Sequence, residues 1–522
     1  KEAEVPKEAP AAAPEPEPAA PTPPPAPAEP TPPGLPRCLL PGSKSAAPLA
    51  HSPVFPPVKK YMALKKLVEA AEKRCMGDMY GLPFPQTPEE LLWDEKFGAA
   101  WLTKAFHAAG TLPKDNAVKS IPWGVRFEGG GSGPKARFYV EYEKPAEDLD
   151  TILFVKMPHP LWENQQQRFV EEGQYKFGDN WGGEISFYRF LSPHVPFPCP
   201  KYYFGDLSRE STEAILINAC VEWPEGGKTE FAPYEVFPPC GKCEDYTLTN
   251  PHEYYYAIMR RLGTFTGLAK ANKLGPELDK INWYNLTTRT DVNAVPGFPG
   301  TENALRTFIE AVVPHWFPSD VKAPKTLDKF VKRFAEVQAN YQAIADFLYE
   351  DPLYIGLFHQ NGNTDNCYFY KAEDGTIEAG ILDWGSTAAM SFGSGFMGST
   401  ISGLAEMLAE HDDKLVQVWV DAYHAQGAPK VDLKEVLLRY RLSTCINSYS
   451  IFSGVSQYTS PQGIEGSKAM FAGLEAWNCA AIRANFGMKF QFSMVYNRIM
   501  LFAMKGDTYW NAVTELLKRK KK

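Results

Sequence analysis

The sequence predicts an α+β protein of two lobes, the first rich in β-strands and the second helical, preceded by a disordered arm. Three observations support this class. The chain starts with a Pro- and Ala-rich stretch without periodicity, short alternating or apolar runs follow between residues 120 and 220, and helical periodicity dominates from residue 250 onward. The 522 residues suffice for two or more domains at roughly 100–200 residues each.

Composition narrows the classes of protein that fit. The net charge of -8 argues against a general nucleic-acid binder, which needs a basic face. The nine Cys are scattered along the chain, as in proteins with reduced thiols rather than a disulfide framework. The sequence contains no run of 18 or more apolar residues, so it predicts no transmembrane helix. We expect a cytoplasmic protein.

The predicted domain boundaries follow the changes in composition. Residues 1–57 are mostly Ala, Pro and Glu and cannot bury enough apolar surface to fold, so we predict a disordered arm. The same composition would suit a docking segment for a proline-reading protein partner. The remaining predicted parts are a helical linker, a first lobe, a second lobe and a basic tail, at residues 58–92, 93–225, 226–515 and 516–522.

Two helical patterns precede the first strand. Residues 57–74 place apolar side chains at helical spacing between Lys and Glu, which predicts an amphipathic helix that packs on the main domain or contacts a membrane. A second helix is predicted from Thr87, where Thr87 and Glu90 form a capping-box pattern, to a stop at Gly110.

The first lobe contains five strand-like runs and one internal helix. The run "KARFYVEYEK" alternates, with Phe138, Val140 and Tyr142 on one face. The other strand runs are "SIPWGVRFEG", "TILFVKMP", "KYYFGDL" and "EAILINAC", and the helix contains "GEISFYRFLSPH". The second lobe is predicted to be helical apart from one strand–turn–strand, "CYFYKAEDGTIEAGILDWG".

A glycine-rich segment lies between the first two strand runs. It comprises Gly129, Gly130, Gly131, Ser132 and Gly133. Backbone without side chains can approach a phosphate and offer N–H groups to it, although a plain hairpin turn has the same composition.

A lysine and a glutamate then follow in an order typical of phosphate-binding sites. Lys156 ends the buried strand run "TILFVKMP", and Glu184 lies in the predicted internal helix. In kinase-type sites a helix Glu holds a strand Lys so that its ammonium points at the α- and β-phosphates. The alternative interpretation is two unrelated surface charges.

The stretch "HQNGNTDN" supplies the remaining candidate site residues. His359 and Asn366 lie at its ends, and Asp383 follows the apolar run "GIL". An Asn and an Asp at neighbouring strand ends provide the hard oxygen ligands that Mg²⁺ prefers on a triphosphate. His359 is predicted to be a hydrogen-bonding residue of the loop. The alternative is a polar hairpin followed by an incidental Asp.

The order of these elements resembles the aminoglycoside phosphotransferase and choline-kinase-like superfamily, especially its ecdysteroid-kinase-like branch. The resemblance runs from about residue 93 to about residue 510 and includes "LFVKMP", "GEISFYRFLSPHVPFPCPKYYFG" and "LVQVWVDAYHAQGAP". It implies a two-lobed protein-kinase-like fold that binds ATP and Mg²⁺ between the lobes and phosphorylates a small-molecule hydroxyl. It also implies that Lys156 binds phosphate with Glu184 as its partner, and that Asn366 and Asp383 are the Mg²⁺ ligands.

The chain departs from the family at the proton acceptor. The family loop usually reads H-G-D, four further residues and N, whereas this chain has Gln360 and Asn361 at the G and D positions. A neutral amide cannot accept the proton of the acceptor hydroxyl. Three interpretations stay open: a slow small-molecule kinase, a pseudokinase that binds nucleotide or acts as a scaffold, and a protein that keeps only the fold. Rescue by Asp365 is the least expected way to keep a base.

One further motif is weak. The stretch "CGKC", from Cys240 to Cys243, is half of a zinc-binding pattern, but no second Cys or His pair follows at ligand spacing. We therefore do not predict a zinc site. The small-molecule acceptor itself cannot be identified from the sequence.

Overall fold

The structure is a computed structural model that describes residues 37–39, 64–73, 76–127, 133–162, 180–222, 230–238, 240–281 and 298–520. The chain divides into residues 1–34 and residues 35–522, and the first unit lies wholly outside the described residues. The predicted disordered arm therefore lies largely outside them as well, and so do four of the five residues of the glycine-rich segment.

The first lobe contains an antiparallel five-stranded sheet with the order β1-β2-β3-β5-β4. Its strands are β1 (Val118–Phe127), β2 (Lys135–Tyr142), β3 (Ile152–Lys156), β4 (Tyr202–Leu207) and β5 (Ala214–Ala219). All five coincide with the predicted runs. The predicted face of β2 is confirmed, because Phe138, Val140 and Tyr142 are buried while alternate residues are partly exposed.

The helices before the sheet differ in part from the prediction. Helix α1 (Leu64–Lys73) lies within the predicted amphipathic segment. The single helix predicted from Thr87 is instead two helices, α2 (Pro88–Trp93) and α3 (Gly98–Ala109). The helix breaks because Asp94 takes an extended conformation and Gly98 has φ +60. Thr87 caps α2 as predicted, with its hydroxyl accepting from the Glu90 N–H at 3.1 Å.

The internal helix of the first lobe lies against the sheet. Helix α4 (Asn180–Ser186) continues into a π-helical turn, Phe187–Leu191. Strand β4 approaches α4 closely at Gly205, where an added Cβ would lie 2.8 Å from Ile185 Cγ2. A glycine at this position therefore lets α4 come near the end of β3.

The second lobe is mostly helical, as predicted. Its helices are α5 (Pro251–Lys270), α6 (Thr301–Thr307), α7 (Pro324–Ala339), α8 (Tyr341–Tyr349), α9 (Phe392–Thr400), α10 (Ala405–Ala425), α11 (Leu433–Ser453), α12 (Ile464–Phe471), α13 (Ala480–Arg483) and α14 (Phe486–Arg519). Helices α5 and α10 pack closely at Gly263, where an added Cβ would lie 2.4 Å from the Trp419 carbonyl oxygen.

Two small antiparallel sheets carry the polar loops of the second lobe. Strands β7 (Cys367–Lys371) and β8 (Ile377–Ile381) form the predicted hairpin. Strands β6 (Ile355–His359) and β9 (Thr387–Ser391) pair as well, although we predicted no strand in either place. The β6–β9 pair holds His359 opposite Thr387, on either side of the segment that contains Asp383.

A short turn inside the predicted arm contacts the second lobe. Arg37–Leu39 forms a single 3₁₀ turn, and Leu39 is buried against Val236, Tyr368 and Tyr370. The Tyr368 hydroxyl donates to the Cys38 carbonyl oxygen at 2.5 Å. Part of the segment predicted to be disordered is therefore bound to the folded body.

The predicted α+β class, with a β-rich first lobe and a helical second lobe, is confirmed. Helices long and apolar enough to cross a membrane are not found within the described part of the chain. The exact domain boundaries stay predictions, and so does the role of the basic tail, whose last two residues lie outside the described residues.

Candidate active site

Lys156 lies at the centre of the candidate site. It ends β3, where strands β2 and β5 flank it, so its backbone is fixed on both sides. The residue is only 6% exposed. Its ammonium donates to Glu184 Oε2 at 2.8 Å and to Asp383 Oδ1 at 2.5 Å. The structure thus joins three predicted site residues from β3, α4 and the end of β8 in one ion cluster.

The three charges influence one another strongly. Burial raises the pKa of Glu184 to about 7, because it outweighs the opposing attraction of the Lys156 ammonium. Burial also disfavours the charge of Asp383, but Lys156 reverses this effect and lowers the pKa of Asp383 to about 2. Burial likewise opposes the charge on Lys156, yet the two carboxylates raise its pKa above the ordinary value. Lys156 and Asp383 therefore form the firmly ionised pair.

The backbone presents Asp383 to the cleft. Asp383 follows Leu382 after β8 and precedes the 3₁₀ turn Trp384–Ser386, with φ +56 in the left-handed region. Asp is one of the few residue types that take this conformation readily. Its side chain keeps 38% exposure, whereas the Glu184 side chain keeps 5%. Of the two partners of Lys156, Asp383 is the one open to a ligand.

His359 holds the loop against the strand that carries Asp383. Its ring is fully buried, and Nε2 lies 2.7 Å from the Leu382 carbonyl oxygen. Nδ1 accepts from the Asn361 N–H at 3.3 Å, so the hydrogen bonds assign the proton to Nε2. Burial lowers the pKa of His359, which keeps the ring neutral. These contacts agree with the predicted hydrogen-bonding role.

Asn361 and Asn366 are joined through the loop backbone. The Asn366 side-chain nitrogen donates to the Asn361 carbonyl oxygen at 2.8 Å. Both residues line a cavity of about 780 Å³ that Lys156, Glu184 and Asp383 also line. Asn366 and Asp383 can therefore each offer an oxygen to a cation, and Mg²⁺ accepts such a pair when phosphates and waters complete its shell.

The cavity lies between the two lobes and extends beyond the predicted residues. Its first-lobe wall includes Lys135 and Arg137 of β2. It also includes the four residues Asn218 to Val221, of which the first two end β5. Its second-lobe wall includes Asp365, which we considered only as a substitute base, and residues that we did not predict to take part in the site. Among the latter are Cys240, Gly241, Lys242, Leu382 and Phe486.

The "CGKC" stretch contacts the predicted loop. Lys242 Nζ pairs with Asp365 Oδ2 at 3.1 Å, and Cys240 Sγ lies 3.2 Å from Thr364 Oγ1. The other oxygen of Asp365 is buried without a hydrogen-bond partner. No cluster of three or more His, Cys, Asp or Glu suited to a metal occurs among the described residues. This contact joins segments that are 123 positions apart, so no local sequence pattern predicts it.

Of the glycine-rich segment, the structure describes only Gly133. It has φ +122, and an added Cβ would lie 2.1 Å from the Met157 carbonyl oxygen, so no other residue fits there without movement. The Gly133 carbonyl oxygen accepts from Lys135 Nζ at 3.0 Å. Gly129, Gly130, Gly131 and Ser132 lie outside the described residues, and a phosphate-binding role for the segment stays a prediction.

Comparisons with known proteins show structural likeness at low identity. Spectinomycin phosphotransferase, solved with ADP and spectinomycin, has a TM-score of 0.32 at 13% identity, over 73% of this chain and 94% of its own. Choline kinase from Cryptosporidium parvum has a TM-score of 0.36 at 9% identity, over 76% and 90%. Ethanolamine kinase from Plasmodium vivax has a TM-score of 0.34 at 10% identity, over 81% and 95%.

These proteins are aminoglycoside phosphotransferases and choline or ethanolamine kinases, the superfamily that the sequence motifs resemble. The narrower resemblance to the ecdysteroid-kinase-like branch stays a prediction. No protein-family model and no curated protein matches the chain.

Proposed function

We propose that the chain binds a nucleoside triphosphate, ATP, with Mg²⁺ in the cavity between its lobes, and transfers phosphate slowly to a small-molecule hydroxyl. The observation that supports this most is the buried cluster of Lys156 with Glu184 and Asp383. A buried ammonium held at a strand end beside an open carboxylate suits a phosphate-bound metal. Two unrelated surface charges would not be joined in this way.

Each residue of the site would have a separate role in binding nucleotide and metal. Lys156 would contact phosphate oxygens, and Glu184 would hold its ammonium in place. Asn366 and Asp383 would hold Mg²⁺, which supplies positive charge to the phosphates when bound. His359 fixes the loop through its bond to Leu382. Gly133 lies two residues before β2, where the predicted phosphate loop ends.

Asn361 cannot accept the proton of the acceptor hydroxyl, because its side chain is a neutral amide. A positioned general base contributes about 10²- to 10⁴-fold, or roughly 3–5 kcal/mol of barrier. Phosphoryl transfer depends more on positioning and electrostatics than on the base, so loss of the base slows turnover more than nucleotide binding. Among the described residues that line the cavity, Asp365 is acidic in addition to Glu184 and Asp383, and one of its oxygens lacks a hydrogen bond.

Transfer of labelled γ-phosphate to a panel of small alcohols tests this function. We expect slow, Mg²⁺-dependent transfer by the wild type, loss of transfer in Asp383→Asn, and reduced transfer in Asp365→Asn if Asp365 receives the proton. The control is Asp421→Asn, because Asp421 is an exposed residue of α10 bonded to Gln417. A wild type that binds no nucleotide would overturn the proposal.

The second candidate is a nucleotide-binding module without turnover. The observation that favours it is Asn361, because the amide cannot accept a proton. This candidate predicts that the wild type binds Mg²⁺ and nucleotide but transfers no phosphate to any acceptor or to water. The transfer assay, run together with a direct binding measurement, separates the two.

A further inference from the structure

Two Asn side chains of the loop lie against each other. The side chains of Asn361 and Asn363 approach to 2.6 Å, which is a short hydrogen bond. An amide group can donate through its nitrogen or accept through its oxygen, so the bond can run in either direction. Which direction it takes depends on what else the two groups contact. Asn363 is 1% exposed and so must satisfy its amide inside the protein.

The end of helix α9 decides the orientation of Asn363. The carbonyl oxygens of Gly398 and Ser399 belong to the last turn of α9, where carbonyls lack an N–H partner within the helix. With its nitrogen toward them, Asn363 donates to both at 3.1 Å. The opposite orientation would place three oxygens together, with only the Ser402 hydroxyl, at 3.5 Å, to donate to the Asn363 oxygen. The Asn363 oxygen therefore faces Asn361.

The loop and α9 approach each other so closely that Asn363 stays in contact with the end of the helix. At Gly398 an added Cβ would lie 2.0 Å from the Gln360 carbonyl oxygen, so the helix and the loop touch backbone to backbone. Arg498 donates to the Thr400 carbonyl oxygen at 2.8 Å at the same helix end. The end of α9 is thus bound by donors from two sides, as its partial negative charge requires.

Residue 361 must then be a donor. An Asn can donate through its nitrogen to the Asn363 oxygen, but an ionised carboxylate only accepts. A negative charge at position 361 would also face the negative end of α9. The backbone carbonyl of Asn361 in turn receives the Asn366 amide, which orients the oxygen of Asn366.

We propose that Asn361 and Asn363 form an amide relay from the end of α9 to Asn366, and that the loop is built to exclude a carboxylate at position 361. In this view Asn361 is a positioning residue and not a lost base. The part of the proposal that concerns Mg²⁺ at Asn366 rests on the proposed function. The part that concerns the direction of the hydrogen bond does not.

A double-mutant cycle in metal-free buffer with EDTA tests the direction of the bond. The melting temperatures of wild type, Asn361→Asp, Asn363→Ala and the double variant are compared. We expect Asn361→Asp to lower the melting temperature by roughly 1 °C or more, for a loss of about one hydrogen bond. The same change in the Asn363→Ala background should cost much less, because the facing oxygen is gone.

The control is Asn303→Asp, because Asn303 is exposed in the first turn of α6 and an acid there faces the favourable helix end. An Asn361→Asp variant that is as stable as the wild type, or more stable, contradicts the proposal, since a carboxylate would then be accepting from Asn363. If Asn361→Asp alone yields no folded protein, the proposal requires that the double variant folds better than Asn361→Asp. A double variant that does not fold, although Asn363→Ala does, contradicts the proposal.

The affinity for ADP with and without Mg²⁺ tests the positioning role. We expect Asn363→Ala to weaken ADP binding about tenfold in Mg²⁺, as loss of an outer-shell partner does, and to leave binding in EDTA unchanged. Equal loss in both buffers contradicts positioning of a metal ligand. A wild type that binds no ADP defeats the proposed function, while the stability cycle still decides whether Asn361 donates.

Discussion

At the scale of single residues, the candidate site depends on one buried ammonium that is held by two carboxylates of unequal exposure. Lys156, Glu184 and Asp383 belong to a recognisable order of motifs, and the structure brings them within hydrogen-bond distance. Their roles toward nucleotide stay predictions. The contact between Lys242 and Asp365 could not be predicted, because it joins residues more than a hundred positions apart and neither belongs to a motif with a known partner.

Removing the Lys156 ammonium should destabilise the protein. Lys156→Met leaves Glu184 buried without its cation, and loss of one partner of a buried pair costs roughly 3 kcal/mol. Asp383 contributes less to this cost because its side chain is 38% exposed. Urea unfolding measures the change in free energy.

Lys468→Met is the matched control for that variant. Lys468 pairs with Glu465 on the surface of α12, where ion pairs contribute about 0–1 kcal/mol. Equal losses of stability in the two variants would show that the Lys156 cluster is not held as a buried unit.

Glu184 should make stability depend on pH. Its folded pKa is raised from 4.5 to about 7, so its contribution to stability is complete below about pH 4.5 and declines as pH rises through 7. Glu184→Gln should remove this decline, because the amide does not titrate. Unfolding free energies between pH 5 and pH 8 provide the measurement.

Glu465→Gln serves as the comparison, since Glu465 is an exposed residue of α12. A wild type whose stability rises over that pH range in a manner that Glu184→Gln abolishes would contradict the raised pKa. The same holds if Glu184→Gln and Glu465→Gln give identical pH profiles.

At the scale of elements, most strands were predictable, and β6 and β9 were not. Strand β2 alternates along its length, and the buried strands β4 and β5 are runs of apolar and aromatic residues. Strand β6 is only five residues long and contains a glycine, and β9 consists of Thr, Ala, Met and Ser, so neither has alternation or a run of β-branched and aromatic residues. The α2–α3 break was missed because it depends on backbone angles at Asp94 and Gly98 rather than on apolar spacing.

The contact between α9 and the loop predicts opposite effects for two helix glycines. Gly398→Ala should destabilise by about 1–3 kcal/mol, because its Cβ would collide with the Gln360 carbonyl oxygen. Gly466→Ala in α12 should stabilise by about 0.5–1 kcal/mol, because nothing lies within 4 Å of the added Cβ. Thermal or urea unfolding of the two variants measures both effects, and changes of the same sign would contradict the close approach.

At the scale of the whole molecule, the described residues of the two lobes meet at a cavity with cationic side chains on one wall and loop oxygens on the other. Lys135, Arg137 and Lys156 line its first-lobe wall, whereas Asp383 and Asn366 lie on the second-lobe side. This arrangement follows from chain order, since the first lobe supplies the strand Lys and the second supplies the loop oxygens. The order of the two lobes could be predicted from the sequence pattern. The shape of the cavity could not, because it depends on contacts between segments that are distant in the sequence.

The central claim is that this cavity binds nucleotide through a metal held by Asp383. Calorimetric titration of ADP into the wild type and into Asp383→Asn, each with Mg²⁺ and with EDTA, tests it most directly. We predict that Mg²⁺ strengthens ADP binding by the wild type and that Asp383→Asn loses most of this gain while staying folded. The claim is contradicted if the wild type binds no ADP, or if Mg²⁺ strengthens binding equally in both proteins.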